Sequence, residues 1–428
     1  MADVELTGEE QALLDGERGA GVAMAMRLVL GLADAMGATE LRPISGAHID
    51  SCLFHGQSGL DFVNVLVDGK ADVVVPTTLN VSSLDLLHPD LYRGDEKTRR
   101  DAVALMDAYV ALGCEPTWTC APYQREVRPG FGEHIAWAES NAIVFANSVL
   151  GARTHRYGDF IDIAAAVTGR VPNAGLHLDA NRVATVVVDV TGLSADLLQT
   201  DAVFPIIGYV IGRACGSDIP AIVGLPASTT EDNLKALGAA AASSGSLAMF
   251  HAIGITPEAA TLEAACGGQP RENVVPENVV TVTAEDCRNA RDALCTATAT
   301  DLGTVSLGTP HYSVSEIGTL RAALDGRHVH SSIDLYVSTG REMLTEAKLR
   351  GWVEDLEIAG VTFVTDTCTY ITPIVRNTTG VAMTDSAKWA YYAPGNIGVD
   401  VIFASLGECV ESAVAGRVVR DERLWADG

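Results

Sequence analysis

Basic residues are scarce in this sequence: 29 Lys plus Arg stand against 55 Asp plus Glu, a formal net charge of -26. Clustered cations are what displace counterions from a phosphate backbone or hold a protein on an anionic bilayer, so neither nucleic acid nor membrane is expected as a partner. A small carboxylate substrate stays open, since a local Arg or Lys pocket can hold one. Long apolar runs are missing too. The longest, Ala142 to Ala152 and Val203 to Ile211, fall short of the ~20 residues of a spanning helix. The start, Met1-Ala-Asp-Val-Glu-Leu, lacks the basic and apolar regions of a secretory signal, and a cytoplasmic protein is expected. Nine cysteines, at 52, 114, 120, 215, 266, 287, 295, 368 and 409, form no CxxC pair, which argues against a disulfide framework. Proline is sparse at 16 residues, while 41 Gly and a 48% hydrophobic share fit an α/β enzyme and not a disordered chain.

A length of 428 residues implies two to four domains or one large α/β body with subdomains. The boundaries read as 1–190, 191–277 and 278–428, with 267–277 as the linker. Thr7 and Glu10 form a capping box, and Val22, Met26, Val29, Ala33 and Met36 recur at helical spacing before Gly37, which predicts a buried N-terminal helical pair. Thr98 to Leu112 predicts another helix with Val103, Met106 and Val110 on one face. Strands are expected at 71–75, 184–190, 203–210, 278–282, 304–307, 333–337, 361–365 and 400–404. Their alternation with helices implies parallel sheets covered on both faces.

Between residues 300 and 368 three expected strands end in Gly308-Thr309-Pro310-His311, Ser338-Thr339-Gly340 and Asp366-Thr367-Cys368. Ser313 to Glu316 and Thr339 to Glu342 read as capping boxes that open the following helices. Open α/β sheets place ligands at such a C-terminal edge, so His311 and Cys368 should be neighbours there.

Polar clusters also crowd the region from Pro43 to Thr154: Ser45-Gly46-Ala47-His48-Ile49-Asp50-Ser51-Cys52, Thr77-Thr78-Leu79-Asn80, Thr117-Trp118-Thr119-Cys120, Glu139-Ser140-Asn141 and Asn147-Ser148 through Arg153. Each alone reads as a turn, a cap or a core residue. Together they are costly to bury unless they converge on a site. The residues by themselves leave open a metal site, an acid/base site, or a thiolate of Cys120 or Cys368 with His48 or His311 as its base.

These clusters, with Gly175-Leu176-His177-Leu178-Asp179-Ala180-Asn181-Arg182 and Met383-Thr384-Asp385-Ser386-Ala387-Lys388, resemble the aconitase X family almost from end to end. The resemblance implies an aconitase-like α/β fold, with stacked α/β/α subdomains and largely parallel sheets around a central cleft. It also implies an iron-sulfur cluster acting as Lewis acid and a hydro-lyase reaction. Members dehydrate either cis-3-hydroxy-L-proline, giving pyrroline-2-carboxylate, or mevalonate 5-phosphate. A chain of this length accounts for the large unit, so a separate small swivel-domain subunit is the expected partner, and it could supply a Ser as general base.

Cys120 and Cys368 keep family positions. Many relatives carry Gly-Cys-Pro-His where this chain has Gly308-Thr309-Pro310-His311, so Cys52, in a segment resembling the hydroxyproline-type members, is the expected third metal ligand. A 2Fe-2S, 3Fe-4S or 4Fe-4S cluster stays open. His48, Asp50 and Lys388 are the expected catalytic residues. Ser45, Thr77, Asn80, Glu139, Asn141, Ser148, Arg153, His311 and Ser386 are expected to bind the hydroxy acid substrate, with Lys388 and Arg153 the candidates for its carboxylate. Sparse basic residues favour hydroxyproline over the phosphorylated substrate. An iron-sulfur sensor or scaffold without catalysis is the remaining alternative.

Overall fold

The computed structural model describes residues 4–268, 278–297 and 300–425. The chain divides into two compact units, Met1–Leu84 with Gly94–Val183, and Asp85–Arg93 with Ala184–Gly428. Of the expected linker, residues 269–277 lie outside the described residues. No helix among the described residues is long and apolar enough to cross a membrane.

The first unit runs α1 (Gly8–Leu14), α2 (Ala20–Met36), β1 (Leu41–Pro43), β2 (Ala47–Ile49), α3 (Gln57–Asp68), β3 (Thr77–Leu79), α4 (Glu96–Ala111), β4 (Ala136–Trp137), α5 (Ser140–Phe145), α6 (Ile161–Thr168) and β5 (Arg170–Pro172). Both bonds of the Thr7–Glu10 capping box form, and Val22, Met26, Val29 and Ala33 are buried along α2 until Gly37 ends it in the left-handed region. Three short parallel strands in the order β3-β2-β4 make the sheet; β1 pairs antiparallel with β5.

Two expectations fail in this unit. Residues 71–75 are not a strand: Val73 N donates to Leu112 O and Val74 N to Ala166 O, so helix and turn carbonyls take the bonds a neighbouring strand would offer. Helix α4 buries Ala102, Leu105, Met106 and Tyr109, leaving Val103 and Val110 exposed. Tyr109, whose hydroxyl donates to Ser51 Oγ, sets that rotation.

The second unit begins with a parallel sheet of β6 (Val186–Asp189), β7 (Pro220–Val223), β8 (His251–Ala252) and β9 (Val279–Thr281), in the order β8-β7-β6-β9. Helices α7 (Ala195–Leu198), α8 (Val203–Cys215), α9 (Glu231–Ser244), α10 (Leu262–Ala265) and α11 (Ala284–Ala293) connect and flank its strands. The strand expected at 203–210 is therefore the first part of α8. An unbroken apolar run carries no period, so it reads equally as a buried strand. Gly208 and Gly212 decide for the helix, because they lie one turn apart and face α9. A Cβ on Gly208 would sit 2.1 Å from Leu237 O, and one on Gly212 2.6 Å from Ala241 O.

The chain continues through β10 (Leu302–Tyr312), α12 (Val314–Leu324), β11 (Asp334–Thr339), α13 (Arg341–Leu349), α14 (Trp352–Ile358), β12 (Val361–Val364), β13 (Val381–Thr384), α15 (Ala387–Ile397), β14 (Asp400–Phe403) and α16 (Leu406–Ala415). Its five strands are parallel in the order β12-β11-β10-β13-β14, giving an α/β fold with largely parallel sheets. Strand β10 is buried along all of its 11 residues, over a core that includes Val305, Leu307, Ile317, Leu335, Val337 and Phe363. The Ser313–Glu316 box forms, whereas the one expected at Thr339 does not. Thr339 ends β11 and donates its hydroxyl to Tyr312 O, and α13 starts from Gly340 with no side-chain cap.

Replacing Gly208 with Val inserts side-chain atoms into this backbone contact. We expect a loss of about 1–3 kcal/mol, the range for overpacking, read as a lowered urea midpoint; an unchanged midpoint would show that α8 and α9 separate without cost.

Candidate metal and substrate site

In the first unit, β2 delivers His48 and the turn that follows it delivers Asp50 and Cys52. His48 is fully buried, with Nδ1 2.7 Å from Thr78 Oγ1 and its ring 5.8 Å from that of Trp137; Nε2 makes no hydrogen bond. Burial pushes its pKa down to about 3 against the opposing charge of Glu139, so the imidazole is neutral. Asp50 accepts from Asn80 Nδ2. Its pKa is pushed up to about 7, first by burial and then by Glu139 and Asp159.

The turn itself is held by Asp162, which sequence reasoning missed. Its carboxylate accepts from Asp50 N at 2.8 Å, and from Ser51 N and Ser51 Oγ at 3.0 Å each. The available signal was an acid inside the otherwise apolar Ile161-Asp162-Ile163-Ala164-Ala165 run.

Cys52 lies among backbone carbonyls, with Sγ 3.3 Å from Ile49 O and 3.5 Å from Asn80 O. Burial raises its pKa, and the nearby carboxylates of Asp50 and Asp162 add to the effect. Those surroundings favour a protonated thiol over a thiolate.

Cys120 is buried just after Trp118, whose φ of 46° is a conformation a bulky residue adopts only when packing enforces it. Asn141 Nδ2 donates to Cys120 O at 3.1 Å and also to Glu139, while Tyr123 OH donates to Asn141 Oδ1 at 2.6 Å. Glu139 caps α5 through Ala142 N. Glu139 and Asn141 thus position the Cys120 loop.

Other candidates in this unit are committed to the scaffold. Thr77 Oγ1 donates to Val75 O and Ser45 Oγ to His134 O. The guanidinium of Arg153 pairs with Asp179, donates to Gly151 O at 2.6 Å and covers the Phe131 ring. Ser148 is buried in the turn after α5, where the neighbouring Asn147 is clamped by Arg182.

In the second unit His311, near the end of β10, and Cys368, in the loop after β12, are both buried and offer ligand atoms within 4.8 Å of each other. The sheet edge therefore brings these two together as expected. His311 Nε2 lies 3.1 Å from Thr367 O; that carbonyl selects the Nε2–H tautomer and puts the imidazole lone pair on Nδ1. The Cys368 loop is fixed by Asp366, which accepts from Arg341 Nε and Nη2 at 2.6 and 2.7 Å and from Leu86 N. A thiol and an imidazole side by side are donors suited to iron.

On the same strand end, Thr309, Pro310 and Tyr312 border a cavity of about 290 Å³ within this unit. Four acids, Asp201, Asp232, Glu316 and Asp385, line it against two bases, Lys235 and Lys388. Lys235 donates to Asp232 Oδ1 at 2.9 Å and to Glu316. Ser386 caps α15 by accepting from Trp389 N at 3.0 Å and donates to Thr309 O, so it shapes the wall. Tyr312 OH donates to Asp385 Oδ2, and burial pushes the Asp385 pKa up to about 7.

Comparison with known proteins shows the family of the chain. The first-, second- and third-domain models of aconitase X match residues 3–180, 184–292 and 302–415. The chain is 43% identical over 427 residues to cis-3-hydroxy-L-proline dehydratase of Pseudomonas aeruginosa, covering 99% of this chain and 72% of that one. To the protein of the same name from Hypocrea jecorina it is 39% identical, covering 96% and 69%. To the phosphomevalonate dehydratase large subunit of Thermococcus kodakarensis it is 35% identical, covering 90% and 94%. The crystal structure of Thermococcus kodakaraensis aconitase X in its holo-form matches with a TM-score of 0.83 at 32% identity, covering 96% of this chain and 100% of that one.

The buried histidines make the fold acid-sensitive. His177, with Nε2 2.5 Å from Tyr157 OH and Nδ1 3.0 Å from His134 Nδ1, is pushed down to about 3, chiefly by burial, as His48 is. A folded-state pKa below the unfolded value means that stability is intact above about pH 6.5 and falls as the unfolded state takes up protons, by roughly 1.4 kcal/mol per pH unit for each group. Urea unfolding between pH 7 and pH 4 should show that loss, with a shallower slope for His177→Gln; an equal slope would refute the assignment.

Proposed function

Because the chain belongs to the aconitase X family, we propose that it is the large subunit of an iron-dependent hydro-lyase that dehydrates cis-3-hydroxy-L-proline to pyrroline-2-carboxylate. The observation that carries this reading is the buried pair of His311, on β10, and Cys368, in the loop after β12, at the sheet edge where β10 also borders the Lys388 cavity. Cys120, at its family position, is proposed to join them as the third iron ligand in place of Cys52, whose thiol sits among carbonyl oxygens. Two thiols and an imidazole fit an iron or iron-sulfur centre. Such a centre supplies Lewis acidity to a departing hydroxide.

The chain's own residues would do the rest. Lys388 would pair with the substrate carboxylate, and His48, kept neutral by burial and with an unbonded Nε2, would hydrogen-bond the substrate at that nitrogen and not hold its proton. Asp50, held by Asp162, would keep that corner polar. The four acids that line the cavity disfavour a phosphate dianion by charge repulsion, which supports the imino acid over mevalonate 5-phosphate. A small swivelling subunit is the proposed partner, since two relatives are longer than this chain and another bears the name large subunit.

Protein prepared anaerobically with iron should hold iron, and Cys120→Ser and Cys368→Ser should each lose most of it while Cys52→Ser retains it; iron loss in Cys52→Ser alone would restore Cys52 as the ligand. The iron-to-sulfide ratio of the wild-type protein reads the cluster type.

With its small partner, the enzyme should turn over cis-3-hydroxy-L-proline and leave mevalonate 5-phosphate untouched, and the reverse preference would select the other branch of the family. Lys388→Met should raise KM about tenfold or more, the scale of one lost charge-assisted hydrogen bond.

A further inference from the structure

Two oxygens in the cavity wall of the second unit lack hydrogen-bond partners. Asp385 Oδ2 takes the Tyr312 hydroxyl, but Asp385 Oδ1 has no partner. Thr309 Oγ1, on a residue only 5% exposed, has none either. Both residues line the same cavity. Buried polar atoms left unsatisfied cost about 1–3 kcal/mol each, and such a cost is retained where a ligand supplies the missing partners.

The chemistry of the wall says which ligand. Both oxygens can accept, and one belongs to a carboxyl group, so the matching group is a cationic N–H donor. Lys235 cannot serve, because it is bound to Asp232 and Glu316. The acid excess of the lining favours an entering positive charge, while Lys388, buried in the same wall, offers a cation to a carboxylate. A small zwitterion satisfies both ends. A secondary ammonium carries two N–H donors, one for each unsatisfied oxygen, whereas a primary ammonium carries three. The cavity of about 290 Å³ is large enough for a five-membered ring acid.

We infer that Asp385 and Thr309 form the subsite that recognises the ring ammonium of an imino acid, which makes Asp385 a specificity-determining residue. The inference rests on the proposed hydroxyproline reading for the identity of the natural ligand, but its test does not require turnover.

Calorimetric titration of the wild-type enzyme, with its partner, uses L-proline, which has no hydroxyl to eliminate, and tetrahydrofuran-2-carboxylate, in which oxygen replaces the ring ammonium. L-Proline should bind more tightly. Asp385→Asn, which keeps an acceptor for Tyr312, should weaken L-proline about tenfold or more and leave the ether acid within about twofold, the contrast expected when a charge-assisted bond is lost. Thr309→Val, close in shape, should weaken L-proline in the same direction and guards against a folding defect in the first variant.

Absence of L-proline binding to the wild type, or equal weakening of both ligands in Asp385→Asn, would overturn the inference even if hydroxyproline is dehydrated. Selective, Asp385-dependent L-proline binding without dehydration of hydroxyproline would uphold it and overturn the proposed reaction.

Discussion

The carboxylate of Asp162 accepts hydrogen bonds from Asp50 N, Ser51 N, Ser51 Oγ and Ile163 N while being wholly buried. A buried carboxyl is tolerable only when its lone pairs are filled. Here the donors that fill them are the backbone of the turn carrying Asp50 and Cys52, so satisfying the charge and shaping the turn are one event. In the second unit Asp85 and Asp366 act alike. Asp85 accepts from Thr365 N and Oγ1, and Asp366 is gripped by Arg341. The turn after β2 and the loop after β12 thus each hang on a carboxylate distant in sequence, Asp162 and Asp85, and short strands such as β2 and β3 suffice because these anchors supply what ladder length does not.

The same requirement explains how a chain so poor in cations spends the few it buries. Arg182 closes on Asn147, Arg153 on Asp179 and Gly151 O, and Lys235 on two acids beside the cavity. These groups brace loops through several hydrogen bonds at once, which fixes geometry more than it adds stability. In the cavity wall the four acids outnumber the two bases, and that net acidity selects the sign of the ligand.

The edge of the five-stranded sheet was legible in the sequence because strand, turn and capping residues recur there in order. The three expected strand ends point to His311 and Cys368 as neighbours. Strand β13 escaped because Val381-Ala382-Met383-Thr384 is too short to show a period, and α8 was misread because an all-apolar segment shows none. The first unit was less legible. Its polar clusters announced a site, but type and spacing could not separate Glu139 and Asn141, which hold the Cys120 loop, from Thr77 and Arg153, which brace the scaffold. That distinction depends on which acceptors lie within reach, a property of the folded chain. Asp162 was missed for the same reason: its place in an apolar run signals burial, but which backbone donors its carboxylate meets depends on the folded chain.

Thr309 links the two proposals. The resemblance to aconitase X implies a cysteine at this place, where a thiol would favour a soft metal. A hydroxyl at this place is a poor iron ligand beside thiolates, and in this chain it lines the cavity with no hydrogen-bond partner. Exchanging sulfur for oxygen there removes a donor from any metal centre and adds an acceptor to the wall that faces Asp385 and Lys388. One substitution on β10 would therefore act on both sides of His311: the iron centre would have fewer thiolate ligands, and the cavity would gain an acceptor for a protonated ring nitrogen.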